Sequence, residues 1–416
     1  MRSLLRIRCT SPAAAVIAAA LLLALTVGSR SSFGLFVGPL NTATMLGAAT
    51  IGLALAIGQL AWGASQPLCG VLAQRFGVAR VIAAGGALAA LGIALVPLAS
   101  DSASLIAALA LGGAAGAAAG GAPLLMGAVA QRVAVERRAL ALGVVSAGSS
   151  AGQLVLAPAI ALAIAFIGWR GALFALALLA LAAVPLARAF ASRPAEHGRR
   201  DEAPRAAPTV PHALRDANYW YVTAGFFVCG FHVTFLTTHM PGVIELCGLP
   251  AGLSGIWLAV VGACNIASSL GSGWLMQRVP MKALLGSLYA LRAAGVLLFL
   301  ALPKTPSTLL AFALWMGLTY MGTLPPTTGL IAKLYGARNV ATLMGITTAV
   351  HQVGSFLGAW LGGLEVERSG SFDLVWYLDA ALALAAAAIH VPIRERDPVD
   401  APAPRPQWSA APQAAG

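Results

Sequence analysis

The sequence predicts an all-α membrane protein with twelve transmembrane helices in two pseudo-symmetric six-helix bundles. Three observations carry that expectation. The 416 residues are 59% hydrophobic and 10% charged, with a mean hydropathy of +0.83, whereas soluble domains carry about a quarter charged residues. Apolar runs able to cross about 30 Å of hydrocarbon, at about 1.5 Å per residue, recur along the whole chain. The second half of the chain also repeats features of the first at a spacing of 202 to 203 residues.

Taken in order, the spans lie near residues 12–36, 47–69, 78–98, 103–128, 138–165, 170–190, 218–240, 251–275, 281–302, 306–331, 340–364 and 371–392. The first follows the basic segment MRSLLRIRCT, which has the look of a signal-peptide n-region. Eleven further spans follow it, so it reads as a first transmembrane helix. A Leu/Ala/Gly texture without alternation argues for helices over a barrel. Between spans six and seven, ASRPAEHGRRDEAPRAAPTVPHALRDA (191–217) is rich in Pro, Ala and charge and reads as an irregular cytoplasmic linker. The organisation that follows is a bundle over 1–190, a linker over 191–217, a bundle over 218–392 and a tail over 393–416. Tyr219-Trp220-Tyr221 opens span seven as an interfacial anchor. Pro325-Pro326 are expected to break span ten and free backbone carbonyls.

The repeat is weak but in register. GVLAQRFG, with Gly70 four before Gln74-Arg75, returns as GWLMQRVP around Gly273, and RRALALG ending at Gly143 pairs with RNVATLMG ending at Gly345. Gly152 and Gly354 follow at the same spacing, which indicates an internal duplication. Two six-helix halves in parallel repeat are an arrangement of secondary transporters, with the substrate site between them near the bilayer midplane. Gly112, Gly116 and Gly120 share one face of span four, and Gly354, Gly358 and Gly362 one face of span eleven. Such small-residue faces let helices approach closely, either as fixed packing or as surfaces that slide during transport.

A formal net charge of +12 suggests a polyanionic partner only until the charges are located. With the N-terminus inside, 21 of the 26 Lys and Arg residues fall in loops on one side, and Asp101, Glu245, Glu365, Glu367 and Asp373 on the other. The positive-inside rule accounts for that asymmetry without nucleic acid, and places both termini in the cytoplasm of a bacterial inner membrane. The five cysteines form no CxxC pair, so neither a metal site nor a disulfide framework is indicated. No phosphate-binding GxxxxGK[ST] loop and no nucleophile–base constellation occurs, which argues against an ATP-driven pump and against an enzyme. No cofactor and no obligate protein partner is implied.

GVLAQRFGVAR (70–80) resembles the loop 2–3 signature of the major facilitator superfamily: Gly70, Arg75, Gly77 and Arg80 fit, and Gln74 stands where that family usually has Asp. With twelve spans and the repeat, the resemblance covers essentially the whole chain and implies the major facilitator fold. A narrower resemblance is to monocarboxylate porters. ERRALALGVVSAGSSAGQLVLAP (136–158) is similar to their fifth-helix signature, and SRSSFGLF to the end of their first helix, where a basic residue precedes a Ser-Phe-Gly-type run. Their opening acidic-Gly-aromatic motif and the aspartate–arginine pair of their eighth helix have no counterpart here. Oxalate/formate exchangers are similar in texture, but their arginine in span eight and lysine in span eleven are also missing. The resemblance implies transport of a small organic anion and leaves the substrate open.

Ionisable residues within spans are costly and mark function. Arg30 stays charged and can grip a carboxylate through two parallel hydrogen bonds; the other reading is snorkelling to the outer headgroups. It also lies where the porters have their first-helix basic residue. Arg292 of span nine and Asp379 of span twelve sit at a matching depth of roughly 12–15 Å, which suggests a structural ion pair. Unpaired, Asp379 would instead be a proton carrier. His232, His239 and His351 are embedded; a histidine can shuttle a proton or simply bridge helices. His239, at an outer end, reads as structural, while His232 and His351 are expected to contact substrate or couple protons. Tyr320 and Asn265 are neutral hydrogen-bonding candidates for the substrate.

The expected function is alternating-access transport of a monocarboxylate-like anion with a proton. Arg30 would neutralise the carboxylate, and His232 or His351 would titrate. The alternatives are an exporter of drugs or hydrophobic compounds on the same fold, and a non-transporting membrane sensor.

Overall fold

The computed structural model describes residues 11–191, 210–336 and 339–395, and the described residues form helices and connecting turns with no strand. Nine segments among them are long and apolar enough to cross a membrane. One of these, Leu140–Phe190, contains two spans, and Val340–Ser369 and Asp373–Ile389 complete twelve. In chain order they are α1 (Pro12–Ser31, prolonged by short turns to Thr44), α2 (Ala48–Phe76), α3 (Val78–Leu95) and α4 (Ser102–Gly120, resuming as Ala122–Ala130). Then come α5 (135–167), α6 (169–180, prolonged to Phe190), α7 (Ala217–Leu246) and α8 (Gly252–Leu275). The last four are α9 (Met281–Ala301), α10 (Pro306–Tyr320, resuming as Leu324–Tyr335), α11 (Val340–Ser369) and α12 (Asp373–Ile389).

Two of these boundaries have a clear local cause. The turn between α5 and α6 is made at Gly168, whose φ of 73° lies in the left-handed region that only glycine enters cheaply. The break in α10 falls at Met321–Thr323, just before Pro325-Pro326 rather than at them. Proline is tolerated in the first turn of a helix, where its missing N–H would have no partner anyway, so the pair starts the second piece. Tyr219 also departs from the sequence expectation. Its ring is fully buried and its hydroxyl donates to the Leu343 carbonyl at 2.9 Å, so it belongs to the core and leaves Trp220 exposed. Most of the linker (192–209) and of the tail (396–416) lies outside the described residues; 210–213 form one helical turn.

The duplication is visible in the packing. In each half the first helix lies against the fifth, α1 on α5 and α7 on α11. Gly28 faces Gly152 across the first contact and Gly230 faces His351 across the second, so closely that a Cβ on any of these glycines would overlap the facing backbone. Gly28 and Gly230, Gly152 and Gly354, and the restart points Ala122 and Leu324 of the broken fourth helices are each 202 residues apart. The glycine face of α11 packs against Phe227, Phe231 and His239 of its own half. It is therefore a seam internal to the half.

The halves meet mainly through α2 with α11 and α5 with α8, and the glycines at these contacts lie away from the terminal face, the one at which Ser11 and Glu395 lie. Gly52 approaches Ala359 and Gly363, Gly63 approaches Gln352, and Gly255 and Gly262 approach Pro158 and Ser150. Toward the terminal face, Gly70, Gly143, Gly273 and Gly345 have open space where a Cβ would stand. The closed end carries a latch between the halves: Glu367 of α11 accepts from the Ala49 amide at the start of α2, at 2.8 Å. This is an N-cap supplied in trans, of a kind worth about 1 kcal/mol. Glu367→Ala is expected to cost that much or less and to speed hydrogen exchange at the first α2 amides selectively, as read by mass spectrometry.

Candidate functional site

Arg30 ends the last turn of α1. Its guanidinium turns inward, where Nη1 donates to Gln59 Oε1 and the carbon lies 4.8 Å from the centre of the Trp62 ring. Both partners come from α2, three residues apart, so one helix face presents an acceptor and a π surface together. Arg30 Nε is enclosed and has no acceptor. Arg30 lines a cavity of about 90 Å³ that also touches Phe33, Thr238 of α7 and the glycine face of α4. Tyr320 of α10 is near enough to interact electrostatically with Arg30, while its own hydroxyl donates to the Val233 carbonyl at 2.6 Å. Gln59 and Trp62 were not singled out from sequence. The available signal was an amide three residues before a tryptophan inside an apolar span.

The second half holds a separate buried charge cluster. His232 Nδ1 of α7 lies 2.6 Å from Asp379 Oδ2 of α12, and both side chains are fully buried. The ring N–H is not aimed along that contact, so neither carboxylate oxygen has an aligned donor. His232 Nε2 meets Met316 Sδ at 3.3 Å, and its ring is 6.5 Å from that of Tyr320.

The Arg292–Asp379 ion pair expected from matching depth does not form: no ion pair joins the two among the described residues. Arg292 instead donates to the Thr319 carbonyl (3.1 and 2.8 Å), the Tyr320 carbonyl (2.5 Å) and Thr323 Oγ1 (3.3 Å). At the break in α10 the buried guanidinium thus meets two main-chain carbonyls, Tyr320's being shared with Thr323 Oγ1 at 3.3 Å. Those contacts take the place of a carboxylate at similar depth. Arg292→Met is expected to cost about 2–3 kcal/mol in thermal unfolding, the value of hydrogen bonds from a charged donor to buried carbonyls.

The remaining predicted residues fall elsewhere. Asn265 Nδ2 reaches Gln153 Oε1 at 3.4 Å across the α8–α5 seam, joining the halves and leaving Asn265 Oδ1 and Gln153 Nε2 unpaired. The His351 ring lies 4.6 Å from that of Phe226, tilted at 42°, and its Nδ1 lies 3.5 Å from Ser355 Oγ, both within its own half. His239 Nε2 meets the Ala359 carbonyl at 2.8 Å and ties α7 to α11. In the loop 2–3 motif, Gly77 takes φ 89° and ends α2, Arg75 lies over Phe76, and Gly70 faces open space. Neither Arg75 nor Arg80 makes an ion pair among the described residues.

Twelve spanning helices in two duplicated bundles around a central seam define the fold of a membrane transporter. The chain belongs to the Major Facilitator Superfamily, whose sequence profile matches residues 19–299 and 272–415. Its relatives include human monocarboxylate transporter 11, 30% identical over 359 residues that cover 82% of this chain and 73% of that protein. Monocarboxylate transporter 13 of cattle is 25% identical over 390 residues, 92% of this chain and 89% of its own. Among solved structures, a bacterial homologue of the human lysosomal transporter Spinster, in an inward-facing and occupied conformation, superposes with a TM-score of 0.74 at 15% identity. The superposition covers 90% of this chain and 95% of that one.

Proposed function

We propose that this transporter moves a small monocarboxylate-like anion together with a proton, by alternating access, across a bacterial inner membrane with both termini in the cytoplasm. The observation that carries the reading is Arg30. Its guanidinium is positioned by Gln59 and Trp62 beside a cavity, with an enclosed Nε that lacks an acceptor. An anion's oxygens supply what that nitrogen lacks, and a carboxylate matches the guanidinium fork in a bidentate pair. The resemblance to monocarboxylate transporters supports the same cargo class.

The proton would be carried by Asp379 with His232. Among the described residues no arginine pairs with Asp379, and His232 is in contact with it, so the two form the buried acid–imidazole pair this reading needs. His351 is the second titrating candidate, and Asn265 and Tyr320 would contact the cargo as neutral groups. Among the described residues the close glycine contacts between the halves lie away from the terminal face, which supports a conformation open to the side where the termini are proposed to lie. A second reading, export of hydrophobic compounds, is favoured by the largely aliphatic lining of the cavity.

Thermal unfolding of the purified carrier against small carboxylates, their amides and hydrophobic drugs, at acid and neutral pH, separates the two readings. A ligand at about 100 times its dissociation constant adds about 2.7 kcal/mol of stability. Stabilisation by carboxylates and not by amides supports the anion carrier. Stabilisation by neutral drugs alone puts the exporter first.

A further inference from the structure

The link between α8 and α9 carries the second-half copy of the loop 2–3 motif, and it walls a cavity of about 450 Å³ on the terminal face. Arg278 lies on the link itself, Lys282 in the first turn of α9, Lys333 near the end of α10 and Glu395 just past α12. All four belong to the second half, and none lines the Arg30 cavity.

Three cations thus face one carboxylate, and that carboxylate is engaged on both oxygens. Glu395 Oε1 lies 3.3 Å from Lys333 Nζ, and Oε2 accepts from the Lys282 amide at 3.2 Å. Lys282 Nζ donates to the Val391 and Ile393 carbonyls at 3.2 and 2.8 Å, where a cation suits the end of α12. Arg278 differs from both lysines. Its guanidinium carbon lies 3.6 Å from the centre of the Trp274 ring, and among the described residues its side chain has neither an ion pair nor a hydrogen-bond acceptor. The cavity therefore holds a formal surplus of two positive charges and a planar donor with nothing to donate to. A phosphate diester supplies that acceptor, because its two unesterified oxygens match the guanidinium fork.

The level of Arg278 in the bilayer says which phosphate. Leu270, Trp274 and Val279 are exposed around the end of α8 and turn an apolar face to lipid. A tryptophan at the end of a span sits at headgroup level, and Arg278 is stacked on that ring. We propose that this cavity seats the phosphodiester headgroup of an anionic phospholipid in the leaflet on the terminal face. Arg278 grips the phosphate, while Lys282 and Lys333, held by the α12 carbonyls and Glu395, supply the surrounding positive field. Zwitterionic lipids bring an amine along with their phosphate, which the charge surplus disfavours. Phosphatidylglycerol is therefore preferred over phosphatidylethanolamine and phosphatidylcholine.

The test is native mass spectrometry of the full-length carrier in detergent, titrated with each of these three lipids and with sn-glycerol 3-phosphate as a soluble competitor. Arg278→Gln is expected to weaken phosphatidylglycerol binding about fivefold, the value of one cation beside an anionic membrane surface, and to leave phosphatidylcholine binding unchanged. Arg278 is exposed, so the substitution carries little risk to folding. Arg278→Lys, which keeps the charge, is expected to recover most of the loss. Arg80→Gln removes a cation from loop 2–3, outside the cavity, and is expected to change nothing.

Equal affinity for the three lipids overturns the proposal, as does unchanged phosphatidylglycerol binding in Arg278→Gln. So does an Arg80→Gln variant that weakens phosphatidylglycerol as much as Arg278→Gln, since the attraction then belongs to the basic face as a whole. Displacement of phosphatidylglycerol by sn-glycerol 3-phosphate at a similar concentration keeps the phosphate site and overturns the lipid as its occupant.

Discussion

Arg30→Gln is expected to abolish the thermal stabilisation that small carboxylates give the purified carrier and to weaken their binding by about a hundredfold or more. A buried charge-assisted pair is the strongest polar contact such a site can offer, and truncating one partner typically costs about 2–5 kcal/mol. Glutamine keeps hydrogen-bonding capacity but loses the charge, the fork and two bonds of reach. The ligand-free protein should lose little, because the substitution removes a buried charge and leaves Gln59 and Trp62 in place on α2. Arg30→Lys should recover part of the affinity and not all of it, since an ammonium supplies charge without the bidentate geometry. Carboxylate stabilisation that survives Arg30→Gln undamaged would make Arg30 a structural residue and remove the anion site from the first half.

The His232–Asp379 contact has the second large expectation. Both groups are fully buried, so deleting one leaves the other without compensation. Asp379→Ala should cost about 3–5 kcal/mol in thermal unfolding, as for other buried pairs cut on one side. Asp379→Asn removes the charge and keeps the shape, and should cost far less. In proteoliposomes, Asp379→Asn is expected to abolish uptake driven by an inward proton gradient and to preserve exchange of labelled for unlabelled cargo. Exchange needs the halves to rock but no net proton movement. Unchanged gradient-driven uptake in Asp379→Asn would leave the pair a packing feature and shift attention to His351.

The three buried ionisable groups of the second half show where reading along the chain succeeds and where it stops. Arg292, Asp379 and His232 each stand out in a one-dimensional sequence, because a charge inside an apolar run is costly wherever it sits. Their pairing does not stand out. Depth alone favours Arg292 with Asp379, two groups at similar height on adjacent helices of the repeat. The break in α10 changes the outcome, because the Thr319 and Tyr320 carbonyls at it accept from Arg292, which is thereby turned away from Asp379. Asp379 is then left to His232, a residue almost 150 positions away that shares no sequence signal with it.

The Arg30 site divides the same way. The arginine is conspicuous in LLALTVGSRSSFGLF, while Gln59 and Trp62 look like ordinary members of span two. What distinguishes them is that α2 lies across the end of α1 and turns that face toward the guanidinium.

Hydropathy, charge asymmetry and the repeat, by themselves, determined the class of this protein: a membrane-spanning, duplicated, twelve-helix chain with a few costly charges inside its spans. Those are properties of local composition and of spacing along the chain, because solvation by lipid acts on each segment separately. Tertiary structure alone decided which charge meets which partner and that the α11 glycine face packs inside one half. Those outcomes depend on contacts between helices far apart in sequence, where several donors compete for the same acceptors and only the packed geometry selects among them.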